Sequence, residues 1–250
     1  MQESRVKNSL SAQRRAIFLD RDGTINKNVG HLTRPEQMEL IDGAAEAIRM
    51  INKSGFLAIV VTNQPVIARG DVTWEELLTI HDKMKAELGK QGAFVDAIYL
   101  CPHHPKSGVE GERPEYKRVC DCRKPKPGLL LRAAADYNID LSQSYMIGDF
   151  VWDVQAGQAA GVKRALMIET NKPDALLCAV KEIIRRDGEK EIKSWIFHKI
   201  IGIRKKGVTL QLIKLRIKNE ELRMAMRFRF ESKLKTKSEK FLPSADKSVT

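Results

Sequence analysis

Ile17-Phe18-Leu19-Asp20-Arg21-Asp22-Gly23-Thr24 is the stretch that decides the fold. An apolar run of strand type ends in two carboxylates one residue apart, followed at once by Gly and Thr. Side chains alternate along a strand, so Asp20 and Asp22 leave the sheet end on the same side. Two carboxylates held close do not both stay ionised unless a cation or a shared proton relieves them. Mg²⁺ prefers carboxylate and phosphate oxygens and suits this pair. One Asp can then attack a substrate phosphorus while the other moves a proton. Taken alone, the fragment also reads as a solvated Asp-Gly turn.

The rest of the chain decides between the two. A second apolar run, Phe56–Val61, ends in Thr62-Asn63-Gln64, a hydroxyl and amides suited to phosphoryl oxygens. Arg123-Lys124-Pro125-Lys126-Pro127-Gly128 is a cationic loop ahead of a helix pattern. Tyr145-Met146-Ile147-Gly148-Asp149 ends another short strand in an acid, with Asp153 following. Strands are expected at Ala16–Leu19, Phe56–Val61, Phe94–Leu100, Ser144–Ile147 and Arg164–Ile168. Helices are expected at Gly43–Asn52, Thr73–Leu88, Gly128–Asp136 and Val151–Ala160. Thr73 and Glu76 form a capping-box start. This alternation predicts an α/β fold, a Rossmann-like parallel sheet flanked by helices. Ligands in such sheets sit beyond the carboxyl ends of the strands, where Asp20, Thr62 and Asp149 all fall. In this order the four pieces resemble the haloacid dehalogenase (HAD) superfamily of phosphohydrolases.

An inserted loop over 101–122 carries a second constellation. Cys101-Pro102-His103-His104-Pro105 and Cys120-Asp121-Cys122 give Cys-x-His, 16 residues, then Cys-x-Cys. Three thiolates and one imidazole suit a closed, structural zinc site that pins a loop poor in apolar residues. Either His103 or His104 can serve, and unrelated thiols are the competing reading. Cys178 stands apart and reads as a small core residue.

The zinc-type loop, running straight into Arg123-Lys124-Pro125, narrows the resemblance. With Phe18–Asn26 and Ile67-Ala68-Arg69-Gly70 it is similar to the D-glycero-D-manno-heptose 1,7-bisphosphate 7-phosphatases over residues 15–180. The related histidinol-phosphate phosphatases are the alternative. The resemblance implies Asp20 as nucleophile and Asp22 as general acid and base. It implies Mg²⁺ on Asp20, the Asp22 carbonyl and Asp149, and Zn²⁺ on Cys101, His103, Cys120 and Cys122. Thr62, Asn63 and Lys124 would grip the phosphoryl group. Arg123 would meet the second phosphate or the sugar, and the substrate contacts fall on Asn28, Val29, Gly30, His31, Gln64 and Pro65. Asp153 reads as an orienter of metal-bound water or as a surface helix acid. Two departures stand out: Pro65-Val66 where the family has Ser-Gly, and Phe150 where it often has a cation. The implied setting is nucleotide-activated heptose synthesis for surface glycans such as lipopolysaccharide, on a small sugar-phosphate substrate.

Composition agrees. The 250 residues are 42% hydrophobic, enough for one sizeable α/β domain with a remainder. Residues 1–14 read as a disordered leader, 15–187 as the phosphatase domain and 188–250 as a basic C-terminal extension. The chain carries a net charge of +12, and residues 181–250 hold 20 Lys+Arg against 9 Asp+Glu. The extension reads either as a solvated basic appendage or as a contact for an anionic membrane surface, a nucleic acid or an acidic partner; a nucleic-acid-associated protein is the reading from another class. Within it, 195–204 and 208–218 read as two strands, with a helix also possible because Leu210, Leu212, Leu215 and Ile217 break strict alternation; 226–230 alternates more cleanly, and 232–250 reads as disordered. No apolar run spans a membrane and no signal region opens the chain, so a cytoplasmic location is expected; the chain is separately read as a monomer.

Overall fold

The computed structural model describes residues 13–106, 108 and 110–204. Five strands form one parallel sheet in the order β3-β2-β1-β4-β5: β1 (Arg15–Leu19), β2 (Phe56–Asn63), β3 (Ala97–Cys101), β4 (Tyr145–Gly148) and β5 (Arg164–Met167). The helices are α1 (Ala44–Lys53), α2 (Trp74–Lys90), α3 (Gly128–Tyr137), α4 (Val151–Ala160) and α5 (Ala175–Arg204).

The central strand explains the layering. On β1, Ile17 and Leu19 pack into one core with α1, α2 and the first turns of α5. Ala16 and Phe18 pack into the opposite core with α3 and α4. Both faces are covered, so the strand reads as an unbroken apolar run. The register sets Leu19 beside Val60 on one side and Ile147 on the other. From β1 the chain winds outward through β2 and β3, then returns to β4 and β5. The winding therefore reverses between β1 and β4, and a crevice opens there at the carboxyl ends of the strands.

The expected strands and the first four helices are present, with ends shifted by up to three residues. The Thr73 cap is as expected: its Oγ1 accepts from the Glu76 N–H at 3.1 Å, and its own N–H donates to Glu76 Oε2 at 2.7 Å. Four expectations need correction. Arg14 is already paired, its N–H donating to the Asn138 carbonyl at 2.9 Å, so the ordered chain begins before residue 15. Residues 195–204, expected as a strand, continue α5, a helix of 30 residues. Their apolar residues lack period-2 alternation, and nothing in the run stops a helix begun at Ala175. Cys178 is exposed and not a core residue; the inward face of α5 is taken by Leu176, Leu177, Ala179, Val180 and Ile183. Asp153 is not a surface acid, being 1% exposed.

The chain divides into two compact units at Arg185, within α5, and the expected boundary after 187 lies in the same helix. The expectations for 1–12, 208–218, 226–230 and 232–250 lie outside the described residues. No helix among the described residues is long and apolar enough to cross a membrane.

Candidate active site

The crevice between β1 and β4 is a pocket of about 240 Å³. Asp20, Asp22, Thr62, Asn63, Lys124, Asp149 and Asp153 line it, so residues from β1, β2, the cationic loop and β4 converge as the sequence predicts. The Asp20 N–H donates to the Ile147 carbonyl at 2.9 Å, which ties the end of β1 to β4 beneath the site. Gly23 follows with φ of +82°, and a Cβ there would sit 2.2 Å from Asp149 Oδ2. Only glycine permits both that turn and that approach.

A buried ammonium organises the acids. Lys124 Nζ lies 2.7 Å from Asp20 Oδ1 and 2.5 Å from Asp153 Oδ1, and it donates to the Val61 carbonyl at 2.8 Å. Burial works against its charge, but Asp20 and Asp153 outweigh that and raise its pKa. Burial pushes Asp20 up to about 6 even though Lys124 pulls it down. Burial and then the nearby Asp20 charge raise Asp149. One ammonium thus faces three carboxylates. Oxygens of Asp20, Asp149 and Asp153 lie within 4.8 Å of one another. An all-oxygen donor set with surplus negative charge fits a hard divalent cation such as Mg²⁺.

The cationic loop is fixed from β2. Asn63 Nδ2 donates to the Lys124 carbonyl at 3.1 Å, and the Lys124 N–H donates to Asn63 Oδ1 at 3.0 Å. The Asn63 amide therefore holds Lys124 in place. Thr62 Oγ1 accepts from Gln64 Nε2 at 2.8 Å, leaving its hydroxyl proton for the pocket. Gln64 itself is 2% exposed, with its amide spent on Arg21, Asp22 and Thr62. It stands behind Asp22 and not on the pocket wall, which corrects its expected place among the substrate contacts. Asn28, Gly30, His31, Pro65 and Arg123 do line the rim. Val29 is half-exposed beside them but is not part of the wall.

The sequence reading missed two groups as such, having marked Phe150 only as the loss of a cation. Phe150 and Trp152 form an exposed edge-to-face pair, ring centres 4.9 Å apart, on the pocket rim. Their only signal was two aromatics opening a helix after the last acid. The other group is Arg21 and His81 behind Asp22, whose signal was a single histidine in the apolar stripe of α2.

The Cys/His loop closes as a knot. Sulfurs of Cys101, Cys120 and Cys122 lie 3.2–3.5 Å apart, and His103 Nδ1 lies 3.6 Å from Cys101 Sγ and 3.3 Å from Cys122 Sγ. His104 instead faces the Lys106 backbone. Three sulfurs and one imidazole nitrogen within 4.8 Å of one another fit a tetrahedral Zn²⁺. Sharing a hydrogen bond with Cys101 pulls Cys122 down to about 5, the thiolate a metal requires. Arg123 Nη1 donates to the His103 carbonyl at 3.0 Å, so the knot also aims the rim cation.

A doubly wound parallel sheet with Asp-x-Asp at the end of β1, a lysine in the loop before α3 and an acid ending β4 defines a HAD-like phosphatase. A family model described as "HAD-hyrolase-like" matches residues 121–179. The chain is 46% identical over 158 residues to D-glycero-beta-D-manno-heptose-1,7-bisphosphate 7-phosphatase of Escherichia coli (strain K12), covering 63% of this chain and 81% of that one. It is 42% identical over 178 residues to the protein of the same name from Pasteurella multocida (strain Pm70), covering 71% and 89%. Among solved structures it is similar to D,D-heptose 1.7-bisphosphate phosphatase from B. bronchiseptica complexed with magnesium and phosphate. That match has a TM-score of 0.60 and 28% identity, and covers 69% of this chain and 99% of that one. The chain belongs to the heptose-1,7-bisphosphate 7-phosphatase family and is a phosphoric monoester hydrolase.

Proposed function

We propose that this chain removes the 7-phosphate of D-glycero-β-D-manno-heptose 1,7-bisphosphate, in nucleotide-activated heptose synthesis for surface glycans. The observation that carries the reading is one pocket holding Asp20, Asp22, Lys124 and Asp149, in a chain that covers 81% of a relative bearing that name. The histidinol-phosphate alternative is not favoured, since the relatives carry the heptose name.

In this reading an Asp20 carboxylate oxygen attacks the 7-phosphorus. The bond from phosphorus to the C7 oxygen breaks, and Asp22 gives that oxygen its proton. Asp20 then carries the phosphoryl group as a mixed anhydride. Water attacks it, Asp22 takes the water proton, and phosphate leaves with Asp20 regenerated. Thr62 donates its hydroxyl to a phosphoryl oxygen and Lys124 neutralises another. Such reactions are driven by positioning and charge stabilisation more than by covalent chemistry from the protein. Asp20, the Asp22 carbonyl and Asp149 would hold Mg²⁺, which supplies charge neutralisation between the carboxylate and the incoming phosphate. Asp22 rests ionised. Burial works to raise it, but Arg21, with hydrogen bonds from Asn26, Arg21 and Gln64, outweighs burial and lowers it. An approaching phosphate dianion raises it again, which is when it takes up its proton. Arg123, with Asn28, Gly30, His31 and Pro65, would meet the sugar and the anomeric phosphate, and Phe150 and Trp152 offer an apolar wall to the sugar. Zn²⁺ in the Cys101, His103, Cys120, Cys122 knot would be structural.

The test is Mg²⁺-dependent phosphate release from both heptose bisphosphate anomers and from histidinol phosphate. The β anomer is expected to give the highest kcat/KM. A higher value on histidinol phosphate overturns the reading.

A further inference from the structure

Arg21 is the largest fully buried side chain among the described residues, at 1% exposure. A guanidinium shut away from water has to spend its donors on protein acceptors. Nε and Nη2 donate to Asp22 Oδ1 at 3.1 and 2.9 Å, and Nη2 also reaches Oδ2 at 2.8 Å. Nη2 meets Gln64 Oε1 at 3.1 Å. Nη1 faces His81 Nε2 at 3.0 Å.

That last contact fixes the state of His81. Arginine has no acceptor and keeps its charge, so Nε2 must be the acceptor. The ring is therefore neutral, with its proton on Nδ1. Burial, and then the Arg21 charge, hold its pKa down to about 3, in keeping with this. His81 is 2% exposed and lies on α2 among Leu77, Ile80, Met84 and Leu88. It does not line the pocket. An apolar stripe needs no histidine for packing, and this one supplies an acceptor that leucine lacks.

The carboxylate in front is clamped at both oxygens. Besides Arg21, Asn26 Nδ2 donates to Asp22 Oδ1 at 2.9 Å and Gln64 Nε2 to Oδ2 at 2.8 Å. Asp22 still lines the pocket, with a quarter of its side chain exposed. We propose that His81, acting through Arg21, is a positioning residue that fixes how Asp22 presents its carboxylate to the leaving oxygen. Arg21 stays charged and His81 neutral throughout; only Asp22 gives and regains a proton. The inference rests on the reading of Asp22 as general acid and base.

The leaving group separates this role from a packing role. A sugar alkoxide needs a proton to depart, whereas p-nitrophenolate does not. For both substrates kcat/KM reports steps only up to departure of the leaving group. In His81→Leu, kcat/KM on the sugar phosphate should fall roughly tenfold to a hundredfold, against less than about threefold on p-nitrophenyl phosphate. His81→Gln keeps an acceptor for Arg21 and should recover most of the loss. Equal losses on both substrates would overturn the proposal. If His81→Leu does not fold, Arg21→Lys decides, since it keeps the charge but lacks the planar fork. A selective loss there supports the proposal, and a parallel loss or none contradicts it. Asp22→Asn is the control. If it shows no leaving-group selectivity, the acid–base reading of Asp22 falls, and the inference with it. If it is selective while the His81 and Arg21 variants are not, the positioning inference alone falls.

Discussion

At Asp20, burial and charge pull in opposite directions. Burial raises its pKa from 3.8 to about 6, and Lys124 only partly offsets this. The folded chain therefore binds a proton that the unfolded chain gives up between these values. Without a cation, stability should fall as pH rises through that window, because the native state binds more protons there. In chelator, the thermal midpoint should be lower at about pH 7.5 than at about pH 5, and Mg²⁺ should restore most of the difference at the higher pH. An unchanged midpoint on adding Mg²⁺ would count against a cation among these acids. Gly23 makes a second test. Gly23→Ala places a methyl group against Asp149 and forces φ to +82° on a residue with a Cβ. It should cost at least about 1 kcal/mol of stability in chemical denaturation and raise the Mg²⁺ concentration for half-maximal activity. At this scale Asp20, Asp22, Thr62, Lys124 and Asp149 were legible because each lies at or just past the end of an apolar strand run or in the cationic loop ahead of α3. Arg21, His81 and the burial of Gln64 were not. They depend on α2 meeting β1 from a point sixty residues away, and no local pattern encodes that contact.

Among the elements, β1 carries the most weight. Phe18 is fully buried in the core beneath α3 and α4. Phe18→Ala should cost ~3–5 kcal/mol, read by chemical denaturation. The Cys/His loop is a different kind of element, with few apolar residues to hold it. It is stitched to its surroundings by the knot and by Trp74, whose Nε1 donates to Tyr116 Oη at 2.8 Å. Arg123 and Lys124 follow Cys122 directly, so loosening the knot should loosen the pocket. Cys120→Ser should abolish bound zinc by elemental analysis, lower kcat/KM and lower the thermal midpoint by roughly 2–4 °C per kcal/mol lost. Retention of full activity without zinc would remove the knot from the account of the pocket. Strands and the first four helices were readable from apolar runs and turn residues. The helix α5 was not: no helix was expected from Ala175 on, and its apolar residues after 190 fit neither period cleanly, so only continuation from Ala175 makes them helical.

On the scale of the whole molecule, the fold places its acids where the winding reverses, and the basic charge is concentrated in a different part of the sequence. Residues 181–250 hold most of the surplus of Lys and Arg, while the pocket is built by residues before 154. A chain ending at residue 204 should keep its kcat/KM within about twofold while losing any salt-sensitive binding to polynucleotides or anionic vesicles. The overall α/β architecture was legible because strand and helix patterns alternate along the chain. The role of the basic segment was not, since charge alone names no partner. In the proposed mechanism Asp20 forms a covalent bond to phosphorus. The most direct measurement is acid quenching of the enzyme during turnover of the heptose bisphosphate, followed by mass analysis of the peptide carrying Asp20. With Asp20 as nucleophile, that peptide is heavier by one phosphoryl group in the wild type, at the Asp20 carboxylate, and unmodified in Asp20→Asn. Rapid turnover with no modified peptide at any quench time, or modification at another residue, would contradict it.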